Sequence, residues 1–292
     1  LAVFVFKLHV GVHPGLIGVR GGSIGACGDA IDLLAVPGAA ELLAKRRAHA
    51  IGHDDPLGMH GGLTHAEGGH AVALEHRIGG GGAGEEGGAG VPGGVEPRLW
   101  IGNATTVQTH YDLSDNLACA VGGRRVFTLF PPDQVANLYV GPLDFTPAGQ
   151  PISLVQFDRI DGRAAHPGFE AAAEAARHAV LEPGDALFIP SLWWHHVRAT
   201  ASLSMLVNYW WDVGPPGSPS PFDAMVLSLA ALRGLPAERR RAWRAFYDHY
   251  VFEADEETHA HLPANRRGVL GPLTPATLDR IRRFIVAALS RG

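Results

Sequence analysis

The chain has 292 residues, of which 46% are hydrophobic, and it carries 24 basic against 29 acidic side chains for a net charge of −5. This length allows one medium catalytic domain with appendages, and the slightly acidic balance gives no support for general binding to polyanions such as nucleic acid. Two cysteines, Cys27 and Cys119, exclude a disulfide framework and favour a reducing, cytoplasmic location.

The chain begins with residues 1–96, whose composition differs from that of all later residues. The first 100 positions hold 24 of the 38 glycines, and Phe4 and Phe6 are the only aromatic residues before Trp100. Such a stretch has little apolar surface to offset the entropy cost of ordering its backbone. Three interpretations stay open: a disordered or loosely folded extension, a histidine-rich metal-handling region, and an out-of-frame translation joined to true sequence just before Leu99.

We favour the out-of-frame interpretation because aromatic usage changes abruptly at Trp100. The metal-handling interpretation is weaker, since its histidines recur irregularly and lack carboxylate or cysteine partners at ligand spacing. Leu1–Val12 is apolar but lacks the basic start and the cleavage signal of a secretory leader. No run of about 20 apolar residues occurs, so we expect no membrane span. The recurring histidines are His53, His60, His65, His70 and His76.

The tripeptide His110-Tyr111-Asp112 has the spacing of a metal-ligand pair. Side chains two apart on a strand point to the same face, so the imidazole and the carboxylate can reach one ion while Tyr111 faces away. A third ligand has to come from another strand, and only one of the adjacent His195 and His196 can point to the metal. Two imidazoles and one carboxylate form the facial triad of Fe(II) oxygenases, with the remaining positions open.

Short strands with glycine and proline turns predict a mainly β fold after residue 97. Ala118–Val121 and Val126–Phe130 are expected to form a hairpin across Gly122-Gly123, and Pro131-Pro132 ends its second strand. An alanine-rich helix over Glu170–His178 is followed by a turn at residues 183–185 and by two apolar strands. The pattern favours a double-sheet jelly roll. The two apolar strands are Ala186–Ile189 and Ser204–Trp210.

Residues 214–292 are predicted to be helical. Pro221–Leu232 has helical apolar spacing, and Pro236–Tyr250 sets arginines against an aromatic stripe. Thr274 is the expected N-cap of a last helix that begins with Pro275 and runs to Leu289. The arginine cluster is interpreted as a solvated helix face, and we expect no nucleic-acid partner.

Residues 97–213 contain a series of short motifs whose order and spacing are informative. They are Leu99–Asn103, Thr109–Asp112 with Asn116, Gly123–Arg125, Phe127–Gln134, Leu138-Tyr139, Glu182–Pro190, Trp193–His196 and Val207–Trp210. In the order and separation of these motifs the chain resembles the cupin-like JmjC group of Fe(II)/2-oxoglutarate oxygenases. Within that group it is similar to the asparaginyl hydroxylase that inhibits hypoxia-inducible factor. The resemblance implies a double-stranded β-helix of the cupin/JmjC type with C-terminal α-helices.

The resemblance also implies roles for individual residues. His110, Asp112 and His195 fall on the metal ligands, and Arg125 falls where the family holds the distal carboxylate of 2-oxoglutarate. Asn116 and Asn208 fall on polar positions near the cosubstrate and the metal. A guanidinium can hold that carboxylate with two parallel hydrogen bonds. His196 is expected to pack or to support the site, while Trp193 and Trp194 exclude water from it.

The expected activity is hydroxylation of a protein side chain with Fe(II) as cofactor and 2-oxoglutarate as cosubstrate. A non-catalytic metal-binding cupin, and a hydroxylase that acts on RNA or a small metabolite, remain as alternatives. The resemblance further implies a homodimer formed through the C-terminal helices.

Overall fold

The computed structural model describes residues 4–13, 16–21, 74–77, 91–92, 94–144, 149–157 and 160–291. The predictions made for Cys27, His53, His60, His65 and His70, and for most of segment 1–96, lie outside these residues. The chain divides into two compact units, one ending at Asp212 and the next beginning at Val213.

The described part of the first unit forms two antiparallel sheets. The larger sheet has the strand order β2-β1-β9-β6-β11-β4-β3, and the smaller sheet has the order β5-β10-β7-β8. The strands are β1 (Phe4–His13), β2 (Leu16–Gly21), β3 (Leu74–Arg77), β4 (Pro97–Gly102), β5 (Thr106–Tyr111), β6 (Asp115–Gly122), β7 (Arg125–Phe130), β8 (Arg177–Leu181), β9 (Asp185–Ile189), β10 (Trp194–Ala199) and β11 (Ser204–Trp211).

From β4 onward, successive strands mostly alternate between the two sheets. This winding is that of a double-stranded β-helix, so the predicted jelly-roll architecture is confirmed. The predicted strands at residues 186–189 and 204–210 are present as β9 and β11. Three strands, β1 to β3, belong to segment 1–96 and extend the larger sheet, although the sequence pattern gave no sign of them.

The expected hairpin across Gly122-Gly123 is wrong. Both strands form, but β6 pairs with β9 and β11, whereas β7 pairs with β8 and β10 in the other sheet. Gly123 has a φ of 69°, and a Cβ on it would lie 2.6 Å from the carbonyl oxygen of Leu203. The two glycines therefore let the chain turn sharply from one sheet to the other.

Apolar side chains fill the space between the sheets and cover the outer face of each. Phe127, Leu129 and Val197 of the smaller sheet pack between the sheets with Leu187 and Leu206 of the larger one. A second cluster, which includes Leu99, Leu117, Cys119, Val207 and Tyr209, lies on the outer face of the larger sheet.

The long connection between β7 and β8 covers the outer face of the smaller sheet. It contains a 3₁₀ helix over Pro132–Leu138 and two short helices, α1 (Ile160–Ala164) and α2 (Phe169–Ala175). The helix predicted for Glu170–His178 is thus present but shorter, since β8 already begins at Arg177.

The second unit is helical, as predicted. Its helices are α3 (Pro221–Leu232), α4 (Ala237–Tyr247) and α5 (Pro275–Leu289), with a π-helical turn over Asp248–Phe252 after α4. The side chain of Thr274 accepts a hydrogen bond from the backbone N–H of Thr277, which confirms the predicted N-cap. No helix within the described residues is both long enough and apolar enough to cross a lipid bilayer.

Candidate metal centre

The strand register brings two of the predicted ligands face to face. β5 and β10 are antiparallel neighbours in the smaller sheet, and His110 lies directly opposite His195. Their ring centroids are 4.2 Å apart. Cross-strand partners lie about 5 Å apart at their Cβ atoms, so two imidazoles at such a pair can share one ion.

The third predicted ligand lies immediately after β5. Asp112 comes two residues after His110, and its Oδ2 is 3.7 Å from the Nε2 of His195. The candidate ligand atoms of His110, Asp112 and His195 all lie within 4.8 Å of one another. No other group of three or more histidine, cysteine or acidic side chains has such an arrangement in the described ranges.

Backbone contacts fix the orientation of both imidazoles. The Nδ1 of His110 is 2.8 Å from the carbonyl oxygen of Gln108, and the Nδ1 of His195 is 3.0 Å from that of Trp193. A carbonyl oxygen only accepts, so each Nδ1 has to carry the proton. Each Nε2 then has its lone pair free for a metal ion.

Burial also favours the neutral form of the His195 imidazole. His195 is 4% exposed. Its burial and the adjacent His110 lower its pKa to about 4, although Asp112 and the Trp193 carbonyl act in the opposite direction. The neutral imidazole that a metal requires is therefore the form present at neutral pH.

A hydrogen-bond network holds the carboxylate of Asp112. Its Oδ2 accepts from the Nδ2 of Asn116 at 3.2 Å and from the indole Nε1 of Trp210 at 3.0 Å. The Oδ1 of Asn116 in turn accepts from the Nδ2 of Asn208 at 2.6 Å. The two predicted asparagines thus lie together behind Asp112, and their contact with a cosubstrate stays a prediction.

The backbone of Asp112 is tied to the segment that leads into β10. The N–H of Leu192 donates to the carbonyl of Asp112 at 2.9 Å, and Ser191 bonds both to the carbonyl of Leu113 and to Asp115. Leu192 has a φ of 65°, which is uncommon for a residue other than glycine. These hydrogen bonds hold the loop that contains Asp112 against the start of β10, the strand that contains His195.

The two tryptophans and His196 occupy the positions expected of packing residues. Trp193 lies in the core between the sheets, and Trp194 packs on the opposite face against Tyr111 at a centroid distance of 4.7 Å. His196 contacts the ring of Phe157 at 4.5 Å. The alternation along β10 therefore places His195 at the metal centre and His196 away from it.

Arg125 opens β7 on the face that looks toward the larger sheet. It is 8% exposed, and its Nε donates to the Oγ of Ser204 at 2.9 Å. None of the carboxylates that the structure describes forms an ion pair with it. Burial lowers the pKa of Arg125 to about 10, so the side chain remains charged at neutral pH. Burial of a charged group without an opposite charge beside it is unfavourable.

Sequence reasoning missed two indole groups on the same inner face. The N–H of Trp210 donates to Asp112, and the buried N–H of Trp100 has no hydrogen-bond partner among the described residues. The rings of Trp100 and Trp210 meet edge to face at 6.0 Å. The two-residue spacing of Asn208 and Trp210 on one strand was the signal that could have identified Trp210.

Comparison with known proteins gives a consistent picture. The model of the family described as "Cupin-like domain" matches residues 67–215, just over half of the chain. The match includes the three candidate ligands and begins within segment 1–96. The chain is 35% identical over 124 residues to the Jumonji C domain-containing protein 5 of Drosophila melanogaster, an alignment that covers 41% of this chain and 29% of that protein.

Two further relatives carry names that refer to different substrates. Lysine-specific demethylase JMJ31 of Arabidopsis thaliana is 33% identical over 116 residues, which cover 39% of this chain and 20% of that protein. The tRNA wybutosine-synthesizing protein 4 of Neurospora crassa is 32% identical over 110 residues, which cover 38% of this chain and 9% of that protein. The chain therefore matches less than a third of the length of each of these three relatives.

Proposed function

The chain belongs to the cupin-like JmjC domain family, and on that premise we propose that it is an Fe(II)- and 2-oxoglutarate-dependent oxygenase. The observation that carries the proposal is the convergence of His110, Asp112 and His195, with each Nε2 lone pair free and the carboxylate beside them. A set of two imidazoles and one carboxylate suits Fe(II) and leaves part of its coordination sphere open.

The inner face between the sheets also fits a dicarboxylate cosubstrate. Among the described residues, Arg125 supplies a buried guanidinium that has no acidic partner, and Trp100 supplies a buried N–H that has no acceptor. Arg125 pairs with Ala199 on β10, four residues from His195, which is about 13 Å along the strand. We propose that Arg125 holds the distal carboxylate while the other end of the cosubstrate reaches the metal.

These positions assign different roles to the bound groups and to the protein side chains. Fe(II) and 2-oxoglutarate, when bound, would supply the oxidising chemistry together with O2, one oxygen atom entering a substrate C–H bond and the other entering succinate as carbon dioxide leaves. The protein's own residues hold and orient these groups. His110, Asp112 and His195 fix the metal, Arg125 fixes the cosubstrate, and Trp193, which is 6% exposed, helps to keep water out of the space between the sheets.

We propose a protein side chain as the substrate, which is what the sequence resemblance implies. The names of the relatives refer to a lysine demethylase and to a tRNA-modifying protein, so the substrate class needs a direct test. Proteome-wide mass spectrometry for added oxygen, comparing cells that hold the wild type with cells that hold Asp112→Ala, provides it. Oxidised nucleosides or metabolites without any oxidised peptide would assign the chain to the alternative substrates.

The oxygenase proposal is tested by turnover of the cosubstrate alone. Purified protein with Fe(II), ascorbate and 2-oxoglutarate should form succinate slowly without a prime substrate. Asp112→Ala should abolish this turnover, whereas Asp223→Ala, which changes an exposed carboxylate in the first turn of α3, should leave it intact. Succinate formed equally by the Asp112 variant would refute the assigned ligand set. Metal binding without any succinate would favour the non-catalytic cupin.

We also propose that the helical unit forms a homodimer. Trp243, Phe246 and Tyr250 form an exposed aromatic stripe along α4 and the turn after it, with neighbouring centroids 5.7 and 6.2 Å apart. Four arginines precede the stripe or lie within it, and four carboxylates follow it: Arg239, Arg240, Arg241 and Arg244, then Glu253, Asp255, Glu256 and Glu257. In a two-fold arrangement the basic half of one copy can face the acidic half of the other.

Sedimentation velocity tests this arrangement. The wild type should sediment as a dimer, and Phe246→Ser should sediment as a monomer, since the variant loses an aromatic side chain at the centre of the stripe. Phe284→Ser is the matched control, because Phe284 is an exposed phenylalanine on α5, outside the stripe. A wild-type monomer, or equal effects of the two changes, would contradict this interface.

A further inference from the structure

Trp210 contacts the metal centre through a single atom. Its Nε1 donates to the Oδ2 of Asp112, the same oxygen that accepts from the Nδ2 of Asn116. The same oxygen lies 3.7 Å from the Nε2 of His195, so both donors act on the oxygen that faces this imidazole.

The ring of Trp210 is itself held in place from two sides. The guanidinium carbon of Arg98 lies 4.8 Å from the ring centroid, and the edge of Trp100 meets the ring from another direction at 6.0 Å. A cation above an indole face withdraws electron density from the ring. The Nε1 proton of Trp210 is therefore both fixed in direction and a stronger donor than in a free indole.

Two residues of one strand thus reach the same carboxylate by different routes. Asn208 and Trp210 are two apart on β11, so both side chains point into the space between the sheets. Asn208 acts through Asn116, and Trp210 acts directly. β11 therefore links the larger sheet to a metal ligand that follows a strand of the smaller sheet.

We propose that Trp210 is a positioning residue whose indole N–H, together with the Asn116 amide, holds Oδ2 of Asp112 beside the Nε2 of His195, where both atoms can bind one metal ion. The inference rests on the proposed metal site, but it concerns how that site is built and does not depend on the reaction.

Anaerobic titration of the full chain with Co(II) tests the inference without any turnover. Co(II) reports its coordination number through the intensity of its visible absorption bands. Trp210→Phe keeps an aromatic ring and removes the N–H, so we expect the affinity for Co(II) to fall about tenfold. We also expect the bands to change in intensity, because the carboxylate of Asp112 loses a donor that fixes its direction.

The neighbouring residue provides a matched control. Trp211 points to the opposite face of β11 and stacks on Phe188 at 5.9 Å, so Trp211→Phe should change neither the affinity nor the spectrum. Should Trp210→Phe fail to fold, a tryptophan analogue with sulfur in place of the indole N–H can be incorporated at position 210. This analogue keeps the shape of the ring and removes only the donor.

The outcomes separate the two levels of the proposal. A wild type that binds no Co(II) would overturn the proposed metal site itself. A wild type that binds Co(II), together with folded Trp210 variants whose affinity lies within twofold of it and whose bands are unchanged, would overturn the positioning role alone. Loss of affinity and altered bands at position 210, but not at position 211, would support it.

Discussion

Replacing Arg125 with methionine should separate cosubstrate binding from folding stability. The guanidinium is 8% exposed, and among the described residues its hydrogen-bond partner is the Oγ of Ser204 at 2.9 Å. Burial lowers its pKa from the ordinary value of arginine to about 10. At about 1.4 kcal/mol per pH unit, the folded chain without a bound anion disfavours this charge by about 3 kcal/mol.

The sign of the effect follows from the direction of the pKa change. The folded-state pKa lies below the unfolded one, so the unfavourable contribution is present at every pH below about 10, including pH 7. Methionine removes the charge at similar length but leaves Ser204 without its donor, which costs about 1 kcal/mol. The free variant should therefore be about 2 kcal/mol more stable than the wild type.

Urea unfolding with and without 2-oxoglutarate measures both effects. The cosubstrate should stabilise the wild type and leave Arg125→Met unchanged, because ligand that binds only the folded state raises its stability. Loss of one partner of a buried charge pair costs at least about 2 kcal/mol, so the KM for 2-oxoglutarate should rise about 30-fold or more. Arg125→Lys keeps the charge, so its KM for 2-oxoglutarate should lie between those of the wild type and Arg125→Met. A methionine variant that is less stable when free and keeps its KM would refute this reasoning.

Three further changes test other parts of the structure. Gly123→Ala should lower the free energy of unfolding by about 2–4 kcal/mol, since Gly123 has a positive φ and a Cβ would meet a carbonyl, whereas Gly94→Ala, with open space around it, should cost about 1 kcal/mol in the same urea experiment. Thr274→Ala removes the N-cap of α5 and should speed amide exchange in the first turn about fivefold, as hydrogen-exchange mass spectrometry can show. Asn208→Ala removes the donor that orients Asn116, so anaerobic dialysis should show about tenfold weaker Fe(II) binding; unchanged binding would contradict the network.

Local sequence signals predicted the elements whose structure depends on local contacts. The cap at Thr274 and the spacing of His110 and Asp112 depend on neighbours within a few residues, so both could be found without a structure. The pairing partners of β6 and of β7 could not be predicted in this way, because Gly122-Gly123 determines a turn but not the sheet to which the next strand belongs. Strand partners are chosen by packing over the whole chain.

The contacts around the candidate metal ligands could not be predicted either, because they join residues that are distant in the sequence. Trp210 lies 98 positions from Asp112 in the sequence, and no local pattern shows that an indole N–H meets a carboxylate at that distance. The role of Arg125 was implied by a resemblance, and only the structure shows that the guanidinium is buried without an acidic partner among the described residues. Positions of single side chains follow from sequence patterns more easily than the contacts between distant ones.

Anaerobic equilibrium dialysis with Fe(II) tests the central claim most directly. The wild type should bind one equivalent, and each of His110→Ala, Asp112→Ala and His195→Ala should abolish that binding while the protein remains folded by circular dichroism. Full binding by all three variants, with loss only when histidines of segment 1–96 are replaced, would contradict the assignment of the metal centre.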